Sequence, residues 1–327
     1  MTNAQRNHLR RSVPLLTYLE QQGWKPAAYS ESDEVYGRCP LHFESRPSFY
    51  VNRRKDVFFC HGCGQGGDVI RLAQLLHGLD FRTALATLTQ QQEEAGRQLW
   101  RDACDFYQAQ LRRSCEAQAY LRERGIAAET AAHMRIGYAP GGCLRGYLED
   151  LGYSRAAIAQ SGLADAAGRD RLWRAITFPL EETANVYGRH IDSTAGRHRF
   201  LARSKGGLYG WKHARRCQRL IVVEGLFDLA SLWQAGFTNT VALLGSHFTA
   251  QQLAQLCDGR PRTVYLCLDD DNNGSGQRAA RLWRGRLEQA GVRVAPVQLP
   301  AGYDPNRFFA EGGSAERFAQ FLGEDGR

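Results

Sequence analysis

The 327-residue chain has no apolar run of membrane-spanning length, and its basic opening, MTNAQRNHLRRSV, is not followed by the hydrophobic segment of a secretory leader. Secretion and membrane insertion have no support, so a cytoplasmic protein is expected. The sequence lacks a GxxxxGK[ST] phosphate loop, which removes ATP-driven motor activity. It also lacks GxGxxG between a strand and a helix, and Gly274-Ser275-Gly276 suits only a close turn. No nucleophile elbow for serine hydrolysis is present. Six of the nine cysteines are scattered singles (Cys104, Cys115, Cys143, Cys217, Cys257, Cys267), which argues against a disulfide framework and for reduced thiols.

What is present begins with charge. Of the net +8, residues 97–220 carry 21 basic and 12 acidic groups, whereas residues 221–327 carry 10 and 12. A basic middle attracts polyanions, and acids beside it repel them unless cations intervene. Arg174, Arg189, Arg199, Arg203 and Lys205 recur across short strand-like pieces such as LWRAITFPL and NVYGRHI, and together they suggest a basic face.

The remaining three cysteines share one region with a histidine. Cys39, His42, Cys60 and Cys63 follow the C-x2-H-x17-C-x2-C pattern of a structural zinc site, a closed tetrahedral shell with no water position. The intervening SFYVNRRKDVFFC reads as two strands joined by a turn at Arg53-Arg54-Lys55-Asp56. His61 is a competing ligand by position, but using it breaks the paired spacing. Phe49, Phe58 and Phe59 serve either as core or as stacking surfaces for bases, with Arg53, Arg54 and Lys55 as phosphate contacts. Asp68 is an expected N-cap, with a helix after it, a turn at Gly78 and another helix. Residues 90–124 read as a long helix or connector, and the Gln-rich TQQQEEAGRQ as a domain boundary.

The C-terminal third alternates apolar strands (RLIVVEG, TVALLGS, TVYLCLDDD, VRVAPVQLP) with helical segments, a βαβαβαβ order that implies a mostly parallel sheet. Such sheets bind ligands at the carboxyl ends of their strands. Glu224 follows the first strand and Asp269, Asp270 and Asp271 follow the third, with Asp269 and Asp271 spaced to share one side. Converging carboxylates repel unless a divalent cation joins them, and hard oxygen ligands favour magnesium or manganese. Glu224, Asp269, Asp271 and Asp304 are candidates to hold one or two such ions; Asp228 alone suits a helix cap.

These motifs in this order resemble the bacterial DnaG-type DNA primases. CPLHFESRPSFYVN and FFCHGCGQGGDVIRL are similar to the CHC2 zinc module. YLRERGI, IGYAPGG, SGLAD, ITFPL, YGRHI and KGGLYG are similar to the first part of the polymerase core, and VVEGLFD, LDDDNNGSGQRAA and DPN to the Toprim signatures. The likeness covers roughly residues 35–312. It implies an α+β and α/β multidomain fold: a zinc-binding module with flanking helices (1–90), a helical connector (91–125), a basic α/β subdomain (126–219), a Toprim domain (220–312) and a short tail (313–327). It implies synthesis of RNA primers on single-stranded DNA from ribonucleoside triphosphates, with structural zinc, catalytic magnesium or manganese and a separately encoded replicative helicase as partner.

Residue by residue, the resemblance makes Glu224 the Toprim glutamate, Asp228 the aspartate four positions beyond it, Asp269 and Asp271 the DxD pair and Asp304 the first acid of DPD, all five expected to hold the catalytic magnesium or manganese. The second acid is Asn306 here. Arg189, Arg199 and Lys205 match basic residues of the core, but the asparagine-serine-proline loop between the last two is shortened to FLARS. The short tail suggests a compact form like those of phages, plasmids or other mobile elements. Two other readings use the same residues: a Toprim nuclease with water as nucleophile, and a non-catalytic DNA-binding accessory. A topoisomerase would need a tyrosine-bearing domain for which there is no room.

Overall fold

The computed structural model describes residues 13–27, 33–165, 167–192, 198–245, 248–259, 263–268 and 283–323. The chain divides into two units, one ending at Gln98 and one beginning at Leu99.

The first unit is an antiparallel sheet with strands in the order β1 (Glu34–Gly37), β2 (Phe49–Asn52), β3 (Val57–Cys60), β4 (Gly66–Gly67). Period-two alternation decides its faces. Val35, Phe49, Val51 and Phe58 point inward against Leu15, Leu19, Ile70 and Leu72, while Tyr36 and Phe59 point outward. The turn between β2 and β3 is held by the Asn52 side chain, which accepts from the Lys55 amide at 2.8 Å, and by Asp56, which accepts from the Leu15 amide at 2.8 Å. Arg53, Arg54 and Lys55 are exposed there. Asp68 caps the helix Val69–His77 by accepting from the Arg71 amide at 2.9 Å, and Gly78, in the left-handed region at φ 63°, ends it.

The helix expected over residues 90–124 is two. The first, Phe81–Arg113, starts earlier; the second is Cys115–Glu123. Ser114 separates them because its extended backbone breaks the run and its hydroxyl accepts from the Ala117 amide at 3.2 Å. Gln118 then donates its side-chain amide to the Leu111 carbonyl, which the Ser114 amide also reaches at 3.3 Å, and to the Arg112 carbonyl.

The second unit holds two sheets. One is antiparallel, in the order β5 (Gly137–Ala139), β6 (Ala175–Leu180), β7 (Asn185–His190), β8 (His198–Phe200). The other is wholly parallel, in the order β10 (Thr240–Ala242), β9 (Arg219–Val223), β11 (Thr263–Cys267), β12 (Arg293–Pro296). Chain order reverses between β9 and β11, so a crevice opens outside their carboxyl ends. Val223 pairs with Cys267, which makes Glu224 the first residue beyond the sheet on one side of that crevice. Together the sheets give the mixed α+β and α/β architecture expected. Residues after Gly312 continue as the helix Ala315–Phe321, whose Phe318 is 0% exposed and packs on Phe237 and Phe308, so this segment is part of the core rather than a tail. No helix among the described residues is long and apolar enough to cross a membrane.

Candidate functional site

In the first unit, one ligand atom each from Cys39, His42, Cys60 and Cys63 lie within 4.8 Å of one another. The knuckles are preformed by backbone amides aimed at sulfur: Leu41 donates to Cys39 Sγ at 3.4 Å and Cys63 to Cys60 Sγ at 3.5 Å. With no cation among them, burial first, then hydrogen bonding and charge from the neighbouring sulfurs, pushes the Cys39 thiol up to about 12. A bound cation reverses that balance, so this donor set fits structural zinc. His61 is exposed and lies edge-on to Tyr50 and Phe59, outside the cluster.

Glu44 was not foreseen among the site residues. Its Oε1 accepts from the Cys39 amide at 2.6 Å and the Ser48 amide at 3.0 Å, and its Oε2 accepts from the Ser48 hydroxyl and faces His42 Nε2 at 3.3 Å. The Ser48 hydroxyl, ahead of the two amides and His42, holds the Glu44 carboxyl below the usual glutamate range. Since His42 Nδ1 is the nitrogen that faces Cys60 Sγ, at 3.9 Å, Glu44 is placed to fix the imidazole through its other nitrogen. The sequence signal was a carboxylate two residues after the histidine. Phe49 and Phe58 are core, whereas Phe59 is 46% exposed and lies across the strands from Tyr50 and Tyr36, giving the sheet an aromatic outer face.

In the second unit, a cavity of about 280 Å³ opens at the carboxyl ends of β9 and β10. Glu224, Asp228, Asp304, Asn306, Arg189 and Arg124 line it, gathered from four separated segments of the chain. Among the described residues, the carboxylates of this cavity do not form a metal-ready group of three as the cysteine and histidine cluster does. Asp269 and Asp271 lie outside the described residues.

The two lining aspartates differ in freedom. Asp228 is 7% exposed, and its oxygens accept from the Gly225 amide at 3.2 Å and the Asn306 amide at 3.1 Å. Asp304 caps the helix Pro305–Ala310 with one oxygen, which accepts from the Arg307 amide at 2.6 Å, and the residue lines the same cavity.

Asn306 is 2% exposed and its side chain is fully engaged. Its amide nitrogen donates to the Arg124 carbonyl at 2.7 Å and meets Ser231 Oγ at 2.9 Å, while its oxygen accepts from Arg124 Nη1 at 3.2 Å. A carbonyl and a guanidinium from one residue thus fix which end of the amide is which. The amide oxygen keeps a second lone pair, but it is uncharged and already bonded to the Arg124 guanidinium, so position 306 is a poorer cation ligand than a carboxylate there.

The expected basic residues separate. Arg189 lines the cavity. Lys205 donates to the Leu244 carbonyl at 3.2 Å and lies 4.3 Å from the Phe200 ring centre. Arg203 donates to the Ser161 carbonyl at 3.1 Å. Arg174 is paired with both Asp192 and Glu116, so its charge is locally balanced. Arg199 lies 4.4 Å from the ring centre of Trp173.

Three family descriptions match in chain order: a CHC2 zinc finger over residues 27–98, the N-terminal domain of the DNA primase catalytic core over 106–196, and a Toprim-like domain over 221–309. This is the architecture of the bacterial DnaG-type primases. The DNA primase of Aquifex aeolicus is 31% identical over 307 residues, covering 85% of this chain and 61% of that protein. The DNA primase of Deinococcus radiodurans is 32% identical over 301 residues, covering 82% and 52%. This chain therefore spans between half and about three-fifths of the length of these relatives. The crystal structure of the Aquifex aeolicus primase zinc-binding and RNA polymerase domains superposes with a TM-score of 0.61 at 27% identity, covering 98% of this chain and 85% of that one. A DnaG primase catalytic domain bound to single-stranded DNA gives 0.61 at 26% identity, covering 71% and 79%.

Proposed function

We propose that this protein is a DNA primase, which joins ribonucleoside triphosphates on a single-stranded DNA template. The carrying observation is the cavity at the carboxyl ends of β9 and β10, lined by Glu224, Asp304 and Arg189, in a chain that also has the zinc cluster. In the reaction, a ribose 3′ hydroxyl attacks the α-phosphate of the incoming nucleotide, the new phosphodiester forms, and pyrophosphate leaves with the electron pair of the broken bond.

Glu224, Asp304, Asp269 and Asp271 are the proposed holders of magnesium or manganese, which supplies charge neutralisation at the reacting phosphates. Asp228 holds the chain segments that carry Glu224 and Asp304 in place through the Gly225 and Asn306 amides. Arg189 faces the same cavity and is suited to the triphosphate or template. In the zinc module, the exposed Arg53, Arg54 and Lys55 beside the Tyr36, Tyr50 and Phe59 face suit a single strand by phosphate contact and stacking.

Primer synthesis on single-stranded DNA with ribonucleotides and magnesium tests this reading. The expected result is short RNA from the natural chain and a loss of about a hundredfold or more with Asp269→Asn or Glu224→Gln, template binding being retained. DNA cleavage without nucleotides would instead identify a nuclease, and full function in both variants a binding accessory.

A further inference from the structure

Trp173 is the one large aromatic side chain exposed in the second unit among the described residues, at 41%. The neighbouring Leu172 is buried at 1%, and the chain bends at Arg174, the residue after the indole. That bend is strongly specified. Arg174 adopts φ 40°, a left-handed conformation that non-glycine residues rarely take. Its guanidinium is held by Asp192 and Glu116, and its carbonyl accepts from the Ile191 amide at 2.9 Å. On the other side Gly141, at φ 89°, lies so close that an added Cβ would sit 2.6 Å from the Trp173 Cβ. An indole that merely filled space would need none of this.

Its neighbours have a matching chemistry. The His190 ring centre lies 4.6 Å away, tilted by 55°, and the Arg199 guanidinium carbon lies 4.4 Å from the indole centre. Arg199 is itself exposed, so it can leave the ring at little cost. Indole and guanidinium planes both stack on nucleobases, and a guanidinium also binds phosphate. The surrounding segment, residues 97–220, has 21 basic groups against 12 acidic ones, which complements a phosphate chain and not an apolar protein partner.

We propose that Trp173 is a base-stacking site for single-stranded nucleic acid, and that Arg199 covers the indole in the free protein and turns to a phosphate when a base arrives. The proposal rests on the template-binding part of the reading above and names a contact for it.

The test is fluorescence anisotropy of the full chain with labelled oligo-dT and with an abasic strand of equal length, without nucleotides or magnesium, so that a failure of catalysis does not affect it. Trp173→Ala is expected to weaken oligo-dT binding about tenfold and leave abasic binding unchanged. Trp173→Phe should retain most of the affinity, which separates stacking from a folding defect; Arg199→Ala should lower the slope of log affinity against log salt by about one. Equal affinity of natural chain and Trp173→Ala for oligo-dT overturns the proposal. So does a Trp173→Ala protein that changes its sedimentation from dimer to monomer while binding DNA as before, because the indole would then be a protein interface.

Discussion

At the scale of single residues, Asn306 shows how one side chain joins parts of the chain far apart in sequence. Its side chain reaches Arg124 and Ser231, and its backbone amide donates to Asp228. Asn306→Ala leaves the Arg124 carbonyl without its donor, and a buried unsatisfied group costs roughly 1–3 kcal/mol on top of the lost packing. The expected loss is about 2–3 kcal/mol in urea unfolding. Asn306→Asp restores an acceptor for Arg124 Nη1 but no donor for the carbonyl, so it should recover only part of that loss. Nothing in the sequence around DPNRFF announces this network, because it depends on three segments meeting. The same is true of Arg174, whose partners Asp192 and Glu116 stand 18 and 58 residues away.

Elements were more legible, since they follow from local spacing. The β2–β3 hairpin was readable because apolar residues alternate on both sides of a charged turn, and the parallel strands because their runs are short, apolar and separated by helix-length segments. Alternation also resolves the phenylalanines: Phe49 and Phe58 share the inner face and Phe59 takes the outer one. The helix boundary at Ser114 was missed, since one cap residue outweighed a helix-forming composition. In the zinc knuckles the missed partner is Glu44. Glu44→Gln removes the carboxylate that organises both pairs, and zinc affinity is expected to fall roughly 10–100-fold in competition with a chromogenic chelator. Because folding lowers the Glu44 pKa, its contribution is present above the unfolded value and is lost as pH falls through the folded one. Acid titration of zinc release should therefore show a component below about pH 4.3 in the natural chain that Glu44→Gln lacks.

At the scale of the whole molecule, each unit has its own core: residues 15–88 supply that of the first, and three apolar clusters within residues 99–322 supply the second. The first sheet is small, and its metal supplies a large share of its folding energy. Stripping zinc with a chelator is expected to remove hydrogen-exchange protection from residues 34–77 while β9 and β11 keep theirs; loss of protection in both would show that the two units fold as one. The boundary between the units at Gln98 falls inside the continuous helix Phe81–Arg113. Leu85 and Leu88 on its early turns belong to the first core, and Leu99 and Trp100 on later turns to the second. Excising either unit at residue 98 would accordingly sever a regular helix, leaving one fragment with a raw end and the other opening on two large apolar side chains. Cuts at Gly78 or Ser114 would spare the helix but take Leu85 and Leu88 from the first core, or Leu99 and Trp100 from the second, so the one helix ties the integrity of both cores to its own.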